Sequence, residues 1–276
     1  MPELPEVEST RRLLEPELEG RRIDSVDVRH PRVVRRQVRP VDFVDRLAGR
    51  RVLRLRRHGK FLMFDLDADL LWVTHLGMSG RIQMTDQLDP EAVHTRVVVQ
   101  LDNDRQLRFV DARTFGFMAV FTAEEYSEST LQRLGPDAYE DLPRSRELAA
   151  LLLGRTAPVK ALLLDQHVIA GVGNIYADEA LHRARLAPQR HGGTLDSDEV
   201  KALRSAIKAT LAAGLRWGGT SLDDLAYLLP NGRAGLFTSR LRAYGREGEA
   251  CRRCGAEIRR TVIRGRSSFW CPGCQA

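Results

Sequence analysis

Residues 251–274 read CRRCGAEIRRTVIRGRSSFWCPGC and hold every cysteine of the chain, as Cys251-x2-Cys254-x16-Cys271-x2-Cys274. Two Cys-x2-Cys pairs at this separation match a four-thiolate zinc site, each pair supplying two corners of one tetrahedron. A pair of disulfides is the alternative, and a reducing cytosol disfavours it. Four thiolates leave no open position for water, so one structural zinc ion is the expected cofactor and no catalytic zinc is expected. The residues between the pairs predict a β-hairpin whose tip carries Arg264-Gly265-Arg266.

Arginine is concentrated around this module. From Arg240 to Arg266 nine arginines stand against three glutamates, within a chain of 276 residues and formal net charge +6. Such a surface suits a polyanion better than a small neutral metabolite. The 43% hydrophobic and 29% charged residues are ordinary for a globular protein with room for two domains. No apolar run reaches the roughly 18 residues of a membrane span, and the N-terminus lacks a signal-peptide core, so a cytoplasmic protein is expected. A monomer is the expected state.

Upstream, the pattern divides in two. Ile23–Val28, Val52–Arg56, Phe61–Leu66, Leu70–His75, Val97–Leu101, Leu107–Val110 and Phe117–Phe121 are short runs rich in Val, Leu and Phe, separated by turn residues. They predict an antiparallel sandwich, preceded by one helix that Pro16 and Gly20 bring to an end. From about Glu124 the spacing becomes helical: Glu147–Leu153, Val159–Asp165, Ile175–Arg183 and Asp198–Arg216. Asp196 with Glu199 marks the start of the last helix, and Gly218-Gly219 its stop.

The N-terminus, Met1-Pro2-Glu3-Leu4-Pro5-Glu6-Val7-Glu8, has two readings. Proline and acids in a first turn make an ordinary helix start. Loss of Met1 would instead expose Pro2 as a secondary amine, whose reference pKa of about 7.7–8.0 leaves it partly uncharged and nucleophilic. Condensation with a sugar carbon would give an iminium that acidifies the neighbouring C–H. Other segments are equally two-sided. Gly171-Val172-Gly173-Asn174 is a phosphate-binding helix start or a tight helix–helix turn. Arg57-His58-Gly59-Lys60 places a lysine at the start of the Phe61 strand, where a solvated edge lysine is the ordinary reading. His75–Gly80 and Asp111–Gly116 put Met78, Arg113 and Phe115 on glycine-flanked loops, where they could serve as wedges for a base stack.

Taken together, these elements resemble the bacterial formamidopyrimidine-DNA glycosylases, base-excision enzymes that remove oxidised purines. The resemblance runs end to end, through Pro2–Glu8, Gly59-Lys60-Phe61, His75–Gly80, Asp111–Gly116, Gly171–Glu179, Tyr244-Gly245-Arg246 and the four cysteines. It implies an α+β multidomain fold: an N-terminal catalytic β-sandwich with its helix over 1–121, a linker over 122–135, a helix–two-turn–helix domain over 136–235 and a zinc finger over 242–276. DNA would lie in the cleft between the two main parts.

The resemblance also implies roles. Pro2 would attack C1′ as a Schiff-base nucleophile and Glu3 would protonate the ring oxygen. Lys60 and Arg266 would serve the β and δ eliminations. His94, Arg113, Arg155, Asn174 and Lys160 fall at DNA-contact positions, and Met78, Arg113 and Phe115 at the wedge. The partner would be duplex DNA carrying oxidised purines or abasic sites. Two departures stand out. Ala112 and Thr114 replace the usual proline and second arginine of the wedge loop, and Thr220–Phe237, which covers the everted base in relatives, carries Asp223 and Leu236 at unusual places. The alternatives are the sister branch that prefers oxidised pyrimidines and a DNA-binding module without catalysis. Intact Pro2, Glu3 and Lys60 argue against the latter.

Overall fold

The computed structural model describes residues 1–222 and 227–276. Asp223, one of the departures noted above, lies outside the described residues. Contacts divide the chain into two compact units, Met1–Gln132 with Trp217–Leu236, and Arg133–Arg216 with Phe237–Ala276. No helix among the described residues is long and apolar enough to cross a membrane.

The first unit opens with α1 (Leu4–Leu18) and continues through β1 (Ile23–Val28), α2 (Pro40–Leu47), β2 (Val52–His58), β3 (Phe61–Leu66), β4 (Leu71–His75), β5 (Arg81–Asp86), β6 (Thr95–Leu101), β7 (Arg105–Val110), β8 (Phe117–Phe121) and the short α3 (Ala123–Glu128). The strands form two four-stranded sheets, in the orders β1-β6-β7-β5 and β2-β3-β4-β8, with antiparallel neighbours throughout. Each sheet turns alternate side chains into one shared core, where Val97, Val99, Leu107 and Phe109 meet Leu62, Phe64, Trp72 and Val120. Val7, Leu14 and Leu18 of α1 join that core. Pro16 does not end α1, contrary to expectation. The helix runs on past it, with Glu19 N–H donating to Glu15 O at 3.0 Å, and stops at Gly20, whose φ of +81° takes the chain out of helical space.

The second unit holds α4 (Ser145–Leu152), α5 (Val159–Leu164), α6 (Asn174–Ala184) and α7 (Ser197–Arg216), then the hairpin β9 (Arg259–Ile263) and β10 (Arg266–Trp270). The start of α7 is capped as its sequence predicts. Asp196 Oδ1 accepts the N–H groups of Asp198 and Glu199 at 2.9 Å, while Glu199 Oε2 accepts the Asp196 N–H at 2.9 Å. At the hairpin tip Arg264 (φ +46°) and Gly265 (φ +75°) both lie in left-handed space, the geometry a two-residue turn needs to match the strand twist.

Candidate active site

In the first unit Pro2 and Glu3 are buried at the start of α1, and Met1 is half exposed. The start is held by Glu6, itself fully buried. Its Oε2 accepts the Glu3 N–H at 2.8 Å, and its Oε1 accepts the Thr220 N–H at 2.6 Å. The Tyr227 hydroxyl donates to the Glu6 carbonyl at 3.0 Å, and burial together with the Glu6 charge raises the pKa of that phenol. A Cβ on Gly219 would sit 2.7 Å from Glu6 Oε1, so only glycine allows this approach. The two ends of the 217–236 segment are joined by Leu236 N–H to Trp217 O (2.8 Å) and Gly235 N–H to Ser221 Oγ (2.9 Å). Glu6 therefore ties the N-terminus to the root of the segment that contains the second sequence departure. In the sequence it is merely a first-turn acid.

Lys60 is only 7% exposed, which rules out a solvated edge lysine. The turn before it is anchored to α1. Arg57 is buried and donates from Nε to Glu8 Oε2 at 3.1 Å and from Nη1 to the Gly59 carbonyl at 3.1 Å. Burial alone would raise the Glu8 pKa, but hydrogen bonds from Arg11 and Arg12 and the charges of Arg11 and Arg57 outweigh it, holding the carboxyl below its ordinary range. The Pro2-Glu3 helix and the Lys60 turn are thus one hydrogen-bonded assembly.

His75 belongs to the same neighbourhood, although in the sequence it marks only the edge of a motif. It faces Phe61 across the β3–β4 ladder, with ring centroids 4.8 Å apart, and stacks on Phe117 at 5.8 Å. Arg36 lies 4.0 Å from the centre of that second aromatic partner, Phe117. Burial, Lys60, Arg36 and Arg35 push the His75 pKa down to about 4. The ring is therefore neutral near pH 7. Its Nδ1 accepts the Gly77 N–H at 3.1 Å, which leaves the proton on Nε2 as a donor.

The loops that carry Met78, Arg113 and Phe115 are built around Asp111, which is fully buried. Its Oδ1 accepts from Ser79 Oγ (2.7 Å) and the Arg113 N–H (3.2 Å), and its Oδ2 accepts the Gly116 N–H (2.8 Å). Gly77, with φ +65°, lies directly against the Gly116 backbone, so the Met78 and Phe115 loops touch. Phe115 is 41% exposed, and the Arg113 guanidinium lies 4.8 Å over its ring. Arg35 clamps the loop from outside, donating to the carbonyls of Phe115 (3.0 Å) and Gly116 (2.7 Å). That clamp matters because Thr114, a β-branched residue, is held at φ +53°. His94 is exposed, at φ +70°, with its Nδ1 3.2 Å from Arg96.

In the second unit Arg155 and Arg266 are exposed, Arg266 as the first residue of β10 after the hairpin turn. Asn174 opens α6, and its buried Oδ1 has no partner among the described residues. Lys160 is placed differently from the DNA-contact position expected of it. It is 0% exposed, with Nζ 2.7 Å from Asp178 Oδ1 and 2.8 Å from the Ser267 carbonyl, so it is turned inward and out of reach of a phosphate. Asp178 Oδ2 accepts the Phe269 N–H at 2.9 Å. Burial raises the Asp178 pKa to about 7, against the pull of Lys160. Its neighbour Glu179, also raised by burial, accepts the N–H groups of Arg242, Ala243 and Tyr244 at 2.8–3.0 Å. The acidic pair on α6 thus holds β10 and the Tyr244-Gly245-Arg246 segment.

The sulfurs of Cys251, Cys254, Cys271 and Cys274 all lie within 4.8 Å of one another. A tetrahedral zinc with Zn–S bonds of about 2.3 Å needs sulfurs ~3.8 Å apart. The Cys251–Cys274, Cys254–Cys271 and Cys254–Cys274 separations are 3.8, 3.4 and 3.1 Å, somewhat tighter than that tetrahedron, and the convergence of four thiol donors on one point fits a structural zinc.

Residues 1–118 match the formamidopyrimidine-DNA glycosylase N-terminal domain, residues 134–225 the H2TH domain of the same enzymes, and residues 248–276 the zinc finger found in FPG and IleRS. The chain is 44% identical over 277 residues to the formamidopyrimidine-DNA glycosylase of Acidothermus cellulolyticus, covering 100% of this chain and 97% of that one. It is 41% identical to that of Geobacillus kaustophilus, covering 100% of both. The chain belongs to the formamidopyrimidine-DNA glycosylase family. Among solved structures, the MutM (Fpg) protein of Thermus thermophilus superposes with a TM-score of 0.89 at 41% identity, covering 99% of this chain and 98% of that one. A mutant Fpg of Lactococcus lactis in complex with Fapy-dG containing DNA does so with a TM-score of 0.91 at 32% identity and 99% coverage of each chain. As a formamidopyrimidine-DNA glycosylase, the chain is a DNA-repair glycosylase for oxidised purines with an associated lyase activity. The sister-branch and non-catalytic alternatives are set aside.

Proposed function

We propose that loss of Met1 frees the Pro2 amine to attack C1′ of a damaged deoxynucleotide in duplex DNA, such as formamidopyrimidine-dG, 8-oxo-dG or an abasic site. At a damaged nucleotide the N–C1′ bond forms as the glycosidic bond breaks and the base departs; at an abasic site the amine adds to C1′ and the oxygen of its hydroxyl leaves as water. Glu3 delivers a proton to the ring oxygen as the sugar opens. The iminium acidifies C2′, and loss of that proton expels the 3′ phosphate; a second elimination expels the 5′ phosphate. Lys60 and Arg266 neutralise the charge gathering on these leaving groups. His75, through its Nε2–H, joins Lys60 on the phosphates, and His94, Arg155 and Asn174 hold the flanking backbone. Met78, Arg113 and Phe115 fill the gap in the stack. Lys160 acts indirectly, by fixing β10 behind Arg266. The four cysteines hold zinc, whose contribution is to stabilise the fold of the hairpin.

The observation that carries this reading is the Glu8–Arg57–Gly59 chain, which links the Pro2-Glu3 helix to the Lys60 turn. Borohydride should trap a covalent adduct with an 8-oxoguanine duplex, and peptide mapping should place the link on residue 2 of the gene product. Trapping at Lys60 alone, or an intact mass that retains Met1 in active enzyme, would overturn the assignment.

A further inference from the structure

His182 lies on the last turn of α6, is 0% exposed, and has no role in the chemistry above. A buried imidazole is unfavourable unless its nitrogens find partners. Its Nδ1 has none among the described residues. Its Nε2 lies 3.4 Å from the sulfur of Cys251. The contact is reciprocated, because Arg253, between the first two cysteines, donates from Nη1 to the His182 carbonyl at 2.9 Å. The same sulfur also accepts the Arg253 N–H at 3.4 Å.

We propose that His182 donates its Nε2–H to the Cys251 thiolate and thereby tunes and anchors the zinc site from the end of α6. A zinc-bound thiolate has only acceptor character, so the proton must sit on Nε2. Nδ1 is then a bare acceptor, a smaller penalty than a buried unpaired N–H. The chemistry has a clear consequence. Four thiolates around one zinc carry a net charge of −2, and a directed N–H withdraws electron density from one sulfur, making it less prone to protonation and oxidation. The helix that begins at Asn174 and holds β10 through Asp178 would thus also be fastened to the metal. This inference does not depend on which lesion is excised.

The test uses the zinc-loaded full chain with His182→Phe, which removes the donor while filling the space, and His182→Gln, which can present an amide N–H near the same point. Release of zinc to a chromogenic chelator should accelerate about 10–100-fold in His182→Phe, the range for loss of a hydrogen bond to a metal ligand. His182→Gln should recover most of the difference. In the cobalt-substituted proteins, the thiolate-to-metal band should move to longer wavelength in His182→Phe and return towards the parent in His182→Gln. Proton–nitrogen correlation on the zinc-loaded parent should show the Nε2–H tautomer of His182. An Nδ1–H tautomer would overturn the proposal by itself, even if His182→Phe failed to fold. Unchanged zinc release and an unmoved cobalt band in His182→Phe would overturn it as well.

Discussion

Glu6 and Thr220 are 214 residues apart in sequence, and the carboxylate of one accepts the N–H of the other at 2.6 Å. Since the second oxygen of the same carboxylate takes the Glu3 N–H, one buried group sets both the start of α1 and the root of the 217–236 segment. Glu6→Gln keeps the size but can accept only one of these two donors, leaving a buried N–H unpaired at about 1–3 kcal/mol. Excision of 8-oxoguanine should slow at least tenfold, with affinity for undamaged duplex within twofold of the parent. Single-turnover kinetics with binding by anisotropy would check it. Unchanged excision would mean that the two ends do not need this link.

Much of this is legible in the sequence. The Val, Leu and Phe runs around Phe64 and Val99 point to their strands, the one-sided row Val200, Leu203, Ile207 and Leu211 to α7, and the cysteine spacing to the metal site. β5 escapes because, of Arg81–Asp86, only Ile82 is buried and its neighbours are polar. The Glu6 link escapes because hydrophobic patterning carries no record of a single bond to a residue so distant. Lys160 passes for a DNA contact because a resemblance in position does not separate an outward lysine from one paired inside. The available signal is Asp178, an acid on a helix whose neighbouring positions, Ala177, Ala180 and Leu181, are buried.

Removing zinc should affect the Arg266 end of the hairpin before it affects the sandwich. Cys251→Ser, or chelation of the parent, removes the link that closes a module with a small apolar core of Cys251, Ile258 and Cys271. Affinity for abasic duplex should fall at least tenfold, with δ-elimination products lost more than β. Metal analysis and gel resolution of the cleaved ends would measure both. A metal-free protein with full affinity would disprove the structural role.

Asp178 gives a pH dependence whose sign is fixed. Its folded pKa, about 7, lies above the reference 3.8, so the folded state retains a proton that the unfolded chain has lost. The resulting stabilisation is complete below about 3.8 and disappears as pH rises through about 7, with a limiting slope of about 1.4 kcal/mol per pH unit. Asp178→Asn combined with Lys160→Met removes the group and its partner together, avoiding an unpaired buried charge. Relative to this double variant, the parent should lose stability between about pH 3.8 and about pH 7 in urea titrations. Parallel curves would show that Asp178 does not titrate there.

The wedge loop allows stacking and base reading to be separated. Phe115 projects into solvent while Asp111 and Arg35 fix the backbone on either side of it, so truncating the ring should leave the loop in place. Stacking of a base on an aromatic is worth about 1–3 kcal/mol, and Phe115→Ala should therefore slow excision about tenfold or more while sparing nonspecific affinity. Arg35→Ala should do the same indirectly, because Thr114 at φ +53° would be free to relax and carry Phe115 with it. Arg113 has a different task. Its guanidinium, parked over the Phe115 ring, can donate to the acceptor edge of an orphaned cytosine but meets a poorer match on adenine. The parent should therefore excise 8-oxoguanine faster opposite C than opposite A. Arg113→Ala should flatten that ratio, whereas Phe115→Ala and Arg35→Ala should lower both rates together. An unchanged C-over-A ratio in Arg113→Ala would reject Arg113 as the reader of the opposite base and leave it as a support for the Phe115 ring.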